Sequence, residues 1–202
     1  MIIVFARAPV PGRTKTRLVP RLGEWGAARL HGRLVRYALR TARAAECGPV
    51  ELHLATPHAM FRKSATVKMQ RGADLGERMY RAITEGLRNH RTVILIGSDC
   101  PALTARDLQR AERLLEGGCD VVLAPAEDGG YALVAARRVS RRLFEGMPWG
   151  GAAVYEETLR RLQALGWRWR ALRTVWDVDR PSDLERLRSL RPFSATRRPA
   201  RQ

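Results

Sequence analysis

Asp99 directly follows a short apolar run, residues 93–96, which ends at Gly97 and Ser98. Such a run, rich in β-branched residues, is typical of a strand buried on both faces of a parallel sheet. A carboxylate at the carboxyl end of such a strand lies where open α/β sheets bind their ligands. Asp99 is therefore a candidate ligand for a divalent metal on a nucleotide diphosphate, although Ser, Asp and Pro could equally form only a turn here.

A second group of candidate functional residues is a cluster of cations in the loop after the first apolar strand, residues 7–20. Three prolines and Gly12 prevent a helix through most of this loop. Loops in this position of α/β folds bind phosphates, so the cations and the backbone N–H groups near Gly12 would neutralise a pyrophosphate. Neither a Walker A pattern nor Gly-x-Gly-x-x-Gly is present, and an exposed basic turn is the alternative. The cations are Arg7, Arg13, Lys15 and Arg17.

Two further segments combine acids with glycines. Residues 70–79 hold Asp74 and Gly76 at the predicted start of a helix, which could receive an anion or a ribose. An ordinary helix N-cap at Asp74 explains the segment equally well. We predict a nucleotide site here that also includes Arg78.

The other segment is Asp-Gly-Gly-Tyr at 128–131, after a second buried strand. Paired glycines let a ligand approach the backbone closely, so we predict Asp128 on the catalytic side and Gly129, Gly130 and Tyr131 beside the substrate. A plain hairpin turn is the alternative. Trp149, which lies among glycines and a proline, is either a packing anchor or a stacking platform on the substrate side.

Charge and composition limit the partners. The chain has 202 residues and a formal net charge of +17, which could attract nucleic acid, a phosphorylated ligand or an anionic membrane surface. Many arginines fall on predicted helices, so a solvated arginine-rich surface is the simplest explanation. Because aromatic stacking residues are not interleaved with them, no nucleic-acid partner is expected. In helix 24–45 these arginines are Arg29, Arg33, Arg36, Arg40 and Arg43.

The cellular setting is also constrained. Three widely spaced cysteines form no CxxC pair, so neither a zinc ribbon nor a disulfide framework is predicted and a cytoplasmic location is expected. The N-terminus lacks the basic and long apolar regions of a signal peptide. No apolar run approaches the roughly 20 residues of a membrane span.

Strand-like and helix-like patterns alternate along the chain, which predicts an α/β fold with a mostly parallel central sheet and helices on both faces. One domain, residues 1–190, would be followed by a basic disordered tail, residues 191–202. Thr104 with Asp107, and Ser182 with Glu185, predict capping boxes for two helices. The predicted strands are 1–6, 50–54, 93–96, 121–123, 131–135 and 172–178, and the main helices are 24–45, 75–88, 104–116, 154–165 and 182–190.

Five motifs resemble one known family in order and spacing over roughly residues 1–190. They resemble the nucleotide-diphospho-sugar transferase superfamily, and most closely the DUF2064 family of small bacterial glycosyltransferase-like proteins, which is linked by name to arsenosugar biosynthesis. The resemblance implies a Rossmann-like, GT-A type three-layer sandwich. Gly151 stands where the family usually has Thr or Ser, and Arg7 where it commonly has Lys. The motifs are FARAPVPGRTKTRL at 5–18, DLGERM at 74–79, GSDCP at 97–101, DGGY at 128–131 and DVD at 177–179.

The same resemblance implies a glycosyltransferase that moves a sugar from a nucleotide-diphosphate sugar to a small-molecule acceptor with Mg²⁺ or Mn²⁺. Asp99 would hold the metal together with Asp177 or Asp179, because Mg²⁺ prefers few carboxylates, with phosphates and water completing its shell. Asp128 would act as the acceptor-side base or contact a sugar hydroxyl.

Two other functions remain open from the sequence. Related nucleotidyltransferases share the basic first loop and the acids, so the protein could join an NTP to a phosphorylated acceptor and release pyrophosphate. The remaining alternative is a basic nucleic-acid binder that has kept an inactive enzyme fold, which would show binding that falls steeply with salt.

Overall fold

The computed structural model describes residues 1–61 and 65–194. Strands and helices alternate along most of this length. The strands are β1 (Ile2–Ala6), β2 (Val50–Leu54), β3 (Thr66–Met69), β4 (Val93–Gly97), β5 (Val121–Pro125), β6 (Tyr131–Ala136) and β7 (Trp169–Ala171). The α-helices are α1 (Val19–Ala44), α2 (Leu75–Leu87), α3 (Ala105–Glu116), α4 (Val154–Ala164) and α5 (Asp183–Ser189), with 3-10 turns at Thr16–Leu18, Ala59–Phe61 and Arg141–Leu143.

The strands form one seven-stranded sheet in the order β3-β2-β1-β4-β6-β5-β7. Neighbouring strands are parallel except at β6, which runs antiparallel to both β4 and β5. The predicted mostly parallel α/β sheet is therefore confirmed. The antiparallel strand follows from the tight Asp-Gly-Gly turn, which returns the chain beside β5 without a crossover helix.

Helices cover both faces of this sheet. Ile2 and Val4 of β1 pack with α1 and α3 on one face, whereas Ile3 and Phe5 pack with α2 and α4 on the other. Successive side chains of a strand point to opposite faces, so burial on both faces requires the continuous apolar runs seen in β1, β4 and β5. The predicted helices on both faces of the sheet are confirmed, and so is the three-layer sandwich that the family resemblance implies.

The order of strands brings the cationic loop after β1 and the turn with Asp99 after β4 together. β1 and β4 are parallel neighbours, with Phe5 opposite Gly97. Their carboxyl ends therefore lie side by side, and the loop that leaves β1 meets the turn that leaves β4. This juxtaposition places the cationic loop beside Asp99.

Several local predictions were wrong. The segment 172–178 is not a strand: β7 lies earlier, and the later segment makes only an isolated bridge from Val175 to Ala126. It leaves the sheet where Arg173 pairs with Asp107 of α3 at 2.8 Å. The edge strand β3 was not predicted, because it is short and carries only half-buried or exposed residues that give no apolar run.

The two predicted capping boxes had different outcomes. The one between Thr104 and Asp107 at the start of α3 is confirmed. At α5, however, Ser182 makes no side-chain cap. Instead, the carboxylate of Asp183 accepts hydrogen bonds from the backbone N–H groups of Asp179 and Arg180, at 2.9 and 2.6 Å. These two hydrogen bonds hold Asp179 and Arg180 at the start of α5.

Helix α1 and the C-terminal end of the domain both differ from their predicted bounds. Helix α1 begins at Val19, before the predicted start, and Gly23 kinks it with a φ of 68° and a ψ of 165°. At the other end, Phe193 is buried, with its ring 5.2 Å from that of Tyr37, so the packed chain extends beyond the predicted boundary at residue 190. Residues 195–202 of the predicted tail lie outside the described residues.

Among the described helices, none has the length and hydropathy needed to cross a membrane.

Candidate active site

Lys15 and Asp99 form the centre of the candidate site. The Lys15 ammonium lies 2.8 Å from Asp99 Oδ2, and the Lys15 side chain is only 5% exposed. The residue adopts a left-handed backbone conformation, with φ at 52°, which directs the chain into the 3-10 turn. Its ammonium also donates to the carbonyl of Val178. Lys15 thus joins the cationic loop, the end of β4 and the acidic segment 177–179.

His31 of α1 supports the same carboxylate from the other side. The buried ring places Nδ1 3.2 Å from Asp99 Oδ1 and Nε2 3.0 Å from the carbonyl oxygen of Arg7. Both ring nitrogens therefore face oxygen atoms, one from Asp99 and one from the backbone of Arg7. Sequence reasoning missed His31, although a histidine in the buried stripe of α1 with Val35 and Ala38 is a usable signal.

The charge state of Asp99 follows from these neighbours. Burial alone would raise the pKa of Asp99, but the ammonium of Lys15 and the imidazole of His31 outweigh that effect and hold the pKa well below its usual range. The carboxylate is therefore anionic at physiological pH. With 40% of its side chain exposed, it remains open to a ligand.

Asp99 lines a cleft of about 240 Å³ at the carboxyl edge of the sheet. Asp128 and Asp177 line the same cleft, so three carboxylates border one space. The remaining walls are largely apolar and come from the start of α2, the start of β6 and the segment before α4. These wall residues include Leu75, Met79, Tyr131, Trp149 and Val154.

The surroundings of Asp177 disfavour the charged form of its carboxyl group. Burial raises its pKa, and the nearby charges of Asp128 and Asp179 raise it further, against the opposing effect of Lys15. Carboxylates that repel one another in a partly buried site favour a bound cation or proton. The cleft is thus suited to a positive charge near Asp177.

The predicted metal set of Asp99, Asp177 and Asp179 is only partly assembled. Asp179 does not line the cleft; its carboxylate pairs with Arg17. Within residues 1–61 and 65–194, no group of three or more histidine, cysteine, aspartate or glutamate side chains is arranged to hold a metal ion. The donor set that faces the cleft is Asp99 with Asp177, two hard oxygen donors that suit Mg²⁺ or Mn²⁺ when phosphate and water supply the remaining ligands.

The Asp-Gly-Gly turn is both a hairpin turn and a border of the cleft. Gly129 has a φ of 87°, and a Cβ there would stand 2.0 Å from the carbonyl oxygen of Ala152. The carbonyl of Gly129 accepts a hydrogen bond from the N–H of Tyr155, and Asp128 Oδ1 accepts one from the N–H of Gly130 at 2.9 Å. The turn therefore holds Asp128 in place and docks against the chain before α4.

Residues 74–78 have structural roles that explain much of their motif. Asp74 caps α2 by accepting from the N–H of Glu77. A Cβ on Gly76 would meet Trp149 Nε1 at 2.8 Å, so glycine allows Trp149 to pack there. Arg78 donates to the carbonyl of Gly72 and faces a separate cavity, away from Asp99. These three residues do not join the cleft, and their nucleotide-binding role stays a prediction.

Trp149 and Tyr131 form an aromatic wall. The ring of Trp149 stacks on Phe144 at 6.4 Å and meets Tyr131 edge-on at 6.3 Å. Burial raises the pKa of the Tyr131 phenol, so the phenol stays neutral. Trp149 is therefore the packing anchor that one interpretation of the sequence expected, and it also closes one side of the cleft.

The other cations of the first loop remain accessible. Arg7 and Arg13 are exposed, and Gly12 takes a left-handed conformation with φ at 71°. Arg17 is also largely exposed, although it pairs with Asp179. The loop thus offers several exposed guanidinium groups in the same segment as the buried ammonium of Lys15.

Comparisons with known proteins agree with this architecture. The family model described as "Uncharacterized protein conserved in bacteria (DUF2064)" matches residues 38–151. A search of curated protein sequences finds no match.

Among solved structures, a candidate nucleotide-diphospho-sugar transferase from Desulfovibrio desulfuricans is 28% identical with a TM-score of 0.85, over 98% of this chain and 90% of that one. The CMP:2-keto-3-deoxy-manno-octonic acid synthetase in complex with CTP is 13% identical with a TM-score of 0.59, over 94% and 96% of the two chains. The Rv0371c protein of Mycobacterium tuberculosis in complex with manganese is 18% identical with a TM-score of 0.50, over 92% and 97%. The last two similarities concern the fold alone.

Proposed function

This chain belongs to the DUF2064 family of bacterial proteins, and on that premise we propose that it is a transferase that acts on a nucleotide-activated donor. In its specific form, the proposal is a glycosyltransferase that moves a sugar from a nucleotide-diphosphate sugar to a small acceptor. One observation carries it: the Lys15–Asp99 pair joins a cationic loop to an acid-lined cleft. Such a pairing of cations and acids suits a metal-bound diphosphate.

The donor diphosphate would bind at the first loop. Arg13, Lys15 and Arg17 would neutralise its charge, with Arg7 and the backbone at Gly12 alongside. In the ligand-free protein, Lys15 is held by Asp99. A diphosphate offers Lys15 a competing anion and would release Asp99 toward the cleft.

Asp99 and Asp177 would hold the divalent metal, since both carboxylates face the cleft. When bound, Mg²⁺ or Mn²⁺ supplies positive charge for the leaving nucleotide diphosphate. Binding of a cation also relieves the repulsion that raises the pKa of Asp177. In the same reaction the guanidinium groups of the loop stabilise the charge that develops on the leaving group.

The acceptor would enter between Asp128 and the aromatic wall. Asp128 is exposed and borders the cleft, so its carboxylate is available to take a proton from an acceptor hydroxyl or to contact a sugar hydroxyl. Leu75, Tyr131 and Trp149 would exclude water from one side.

Two of the similar structures support the proposal. The Desulfovibrio desulfuricans neighbour is described as a candidate nucleotide-diphospho-sugar transferase, and the Rv0371c structure contains manganese.

A nucleotidyltransferase is the second candidate. The observation that favours it is the number of cations in the first loop, because Arg7, Arg13, Lys15 and Arg17 together match the higher charge of a triphosphate. The CTP complex among proteins of this fold is consistent with that use of the loop. The products distinguish the two functions: one releases a nucleoside diphosphate and the other releases pyrophosphate.

The test is a product assay with the purified full-length protein. Nucleotide-diphosphate sugars and NTPs are supplied separately with Mg²⁺ or Mn²⁺, together with a mixture of small hydroxylated and phosphorylated acceptors. Release of a nucleoside diphosphate from a sugar donor supports the glycosyltransferase, and release of pyrophosphate from an NTP supports the alternative. If neither class of donor raises the melting temperature, both proposed functions are contradicted. A ligand at about 100 times its Kd would stabilise the native state by about 2.7 kcal/mol.

A further inference from the structure

The outer face of α1 carries a row of exposed arginines that the proposed function does not use. They recur at three- and four-residue steps, and an α-helix repeats about every 3.6 residues, so they form one stripe. The buried residues Leu34 and Ala38 lie on the opposite side of the helix. The members of the row are Arg29, Arg33, Arg36, Arg40 and Arg43.

A second row extends this surface. Helix α3 packs beside α1 on the same face of the sheet, and its outward positions hold three more exposed arginines at the same spacing. We refer to both rows together as the arginine face. The three residues on α3 are Arg106, Arg110 and Arg113.

Two members of the arginine face carry a charge that no ion pair balances in the described part of the chain. Neither Arg29 nor Arg36 takes part in an ion pair among these residues. Arg33 donates to the carbonyl of Pro192 and lies over the ring of Phe193, contacts that leave its charge in place. Elsewhere arginines do meet acids, in the pairs Arg81–Glu77, Arg137–Asp120, Arg160–Glu157, Arg173–Asp107 and Arg186–Glu127.

An exposed aromatic residue continues the same stripe. Trp25 lies four residues before Arg29, and 72% of it is exposed to solvent. Met60, 40% exposed, contacts α1 beside Gly32. Trp rings prefer surroundings that are apolar at one end and wet at the other, as at the headgroup level of a bilayer.

We propose that the arginine face, together with Trp25, binds the surface of an anionic lipid bilayer. At a rise of about 1.5 Å per residue, the stripe from Trp25 to Arg43 is roughly 27 Å long. Guanidinium groups would pair with lipid phosphates, and Trp25 would enter the headgroup region. This inference does not depend on the proposed transferase activity.

Nucleic acid is the competing polyanion, and the arrangement of the aromatic residue argues against it. Proteins that bind single strands interleave stacking rings with their cations. Here the exposed ring stands at one end of the row, and Tyr37, which lies within α1, has its ring packed against Phe193. The charge pattern therefore fits a planar anionic surface better than a strand of bases.

The test is co-sedimentation of the full-length protein with vesicles of phosphatidylcholine alone or with about 30% phosphatidylglycerol. We expect binding to the anionic vesicles only, and loss of binding at about 0.5 M NaCl, where charges are screened within a few ångströms. The triple variant R29Q/R36Q/R40Q should weaken binding by roughly tenfold or more. Trp25→Ala should also weaken binding, without removing any charge.

The control is R88Q/R91Q/R142Q, which removes the same charge from exposed positions on the other side of the sheet. It should retain most of the vesicle binding, and circular dichroism should show that every variant is folded. Equal losses in the two triple variants would mean that net charge alone attracts the protein, which would overturn the proposal. Absence of vesicle binding, or preference for duplex DNA in the same assay buffer, would overturn it as well.

Discussion

The Lys15 ammonium and Asp99 Oδ2 lie 2.8 Å apart, although the two residues come from opposite ends of the β1–β4 segment of the chain. The contact exists because β1 and β4 are adjacent parallel strands whose carboxyl ends coincide. It neutralises the central acid of the cleft in the ligand-free protein. A donor that carries both a metal and a diphosphate would satisfy the two residues separately.

Replacement of Asp99 tests the centre of the site. Asp99→Asn removes the charge that faces both Lys15 and the cleft while it keeps the size of the side chain. We expect donor turnover to fall by roughly 100-fold or more, because the metal that would stabilise the leaving diphosphate loses one of its two proposed carboxylate ligands. The measurement is the rate of nucleoside diphosphate release at saturating donor and metal.

The matched control for that variant is Asp179→Asn. Asp179 pairs with Arg17 outside the cleft, so its loss should change the rate by less than about tenfold, as for an exposed ion pair. An unchanged rate in Asp99→Asn, or an equal loss in both variants, would contradict the role given to Asp99.

Lys15 provides the test of phosphate binding. Lys15→Met should weaken binding of a nucleoside diphosphate by about tenfold or more in calorimetry, because a charge-assisted contact to phosphate is lost. Lys15→Arg keeps the charge, but its planar guanidinium is a poor substitute for a compact ammonium in a space where the lysine is 5% exposed. We therefore expect an intermediate affinity.

The control for Lys15 is Arg88→Gln, which removes one exposed charge after α2. Its affinity for the same ligand should equal that of the wild type. If Lys15→Met binds as tightly as this control, the ammonium does not contact the phosphates.

Asp177 should link stability to pH in a defined direction. Burial and the neighbouring acids raise its pKa, so between the ordinary value of about 4 and the raised value the native state binds more protons than the unfolded state. The free energy of unfolding therefore falls as pH rises through this window and stays lower above it. Asp177→Asn should raise the melting temperature at pH 7, and this gain should shrink as the pH falls through the raised pKa.

Asp99 has the opposite sign, which supplies the comparison. Its pKa is lowered, so its contribution to stability is present above the ordinary aspartate value and is lost as pH falls below it. Asp99→Asn should accordingly lower the melting temperature at pH 7 without ligand. If Asp177→Asn also lowers it at neutral pH, the electrostatic account of the acid cluster is wrong.

Replacement of Gly129 tests how closely the Asp-Gly-Gly turn packs against Ala152. Gly129→Ala places a Cβ 2.0 Å from the carbonyl oxygen of Ala152 in a left-handed conformation. Backbone strain of about 1–2 kcal/mol adds to a clash that neither backbone segment can relieve, so we expect a loss of more than about 3 kcal/mol in urea unfolding.

Gly150→Ala is the matched control for the turn. Gly150 also has a left-handed φ, 84°, but among the described residues no atom lies within 4 Å of the added Cβ. Its cost should be limited to the backbone term of about 1–2 kcal/mol. Equal losses in the two variants would show that the turn does not dock against the segment before α4.

Much of the fold was predictable because it depends on local patterns. The buried strands β1, β4 and β5 are continuous apolar runs, and α3 carries its own capping box. The edges of the sheet were not predictable in the same way. β3 has no apolar run, and 172–178 looks like a strand but leaves the sheet where Arg173 reaches Asp107.

The candidate site also contains features that follow from local patterns and features that do not. Residue types and their order along the chain were sufficient to single out Asp99, the cationic loop and the Asp-Gly-Gly turn, because each directly follows a recognisable strand. Because the carboxyl ends of parallel strands lie at one edge of a sheet, the predicted parallel sheet also implies that the loop and Asp99 share that edge. The role of Asp74 as a cap remained one of two alternatives, since local sequence does not distinguish a cap from a ligand contact. The packing of Trp149 on Gly76 was not predicted, because it joins distant parts of the chain.

The sequence by itself determined the α/β architecture and which segments end at the carboxyl edge, because apolar periodicity and turn residues act over short distances. Only the tertiary structure decided which charges meet there. It placed Lys15 and His31 on Asp99, turned Asp179 toward Arg17 and left Asp177 facing Asp128 across the cleft. Those pairings depend on strand order and helix packing between distant parts of the chain, and they set the charge state of the site.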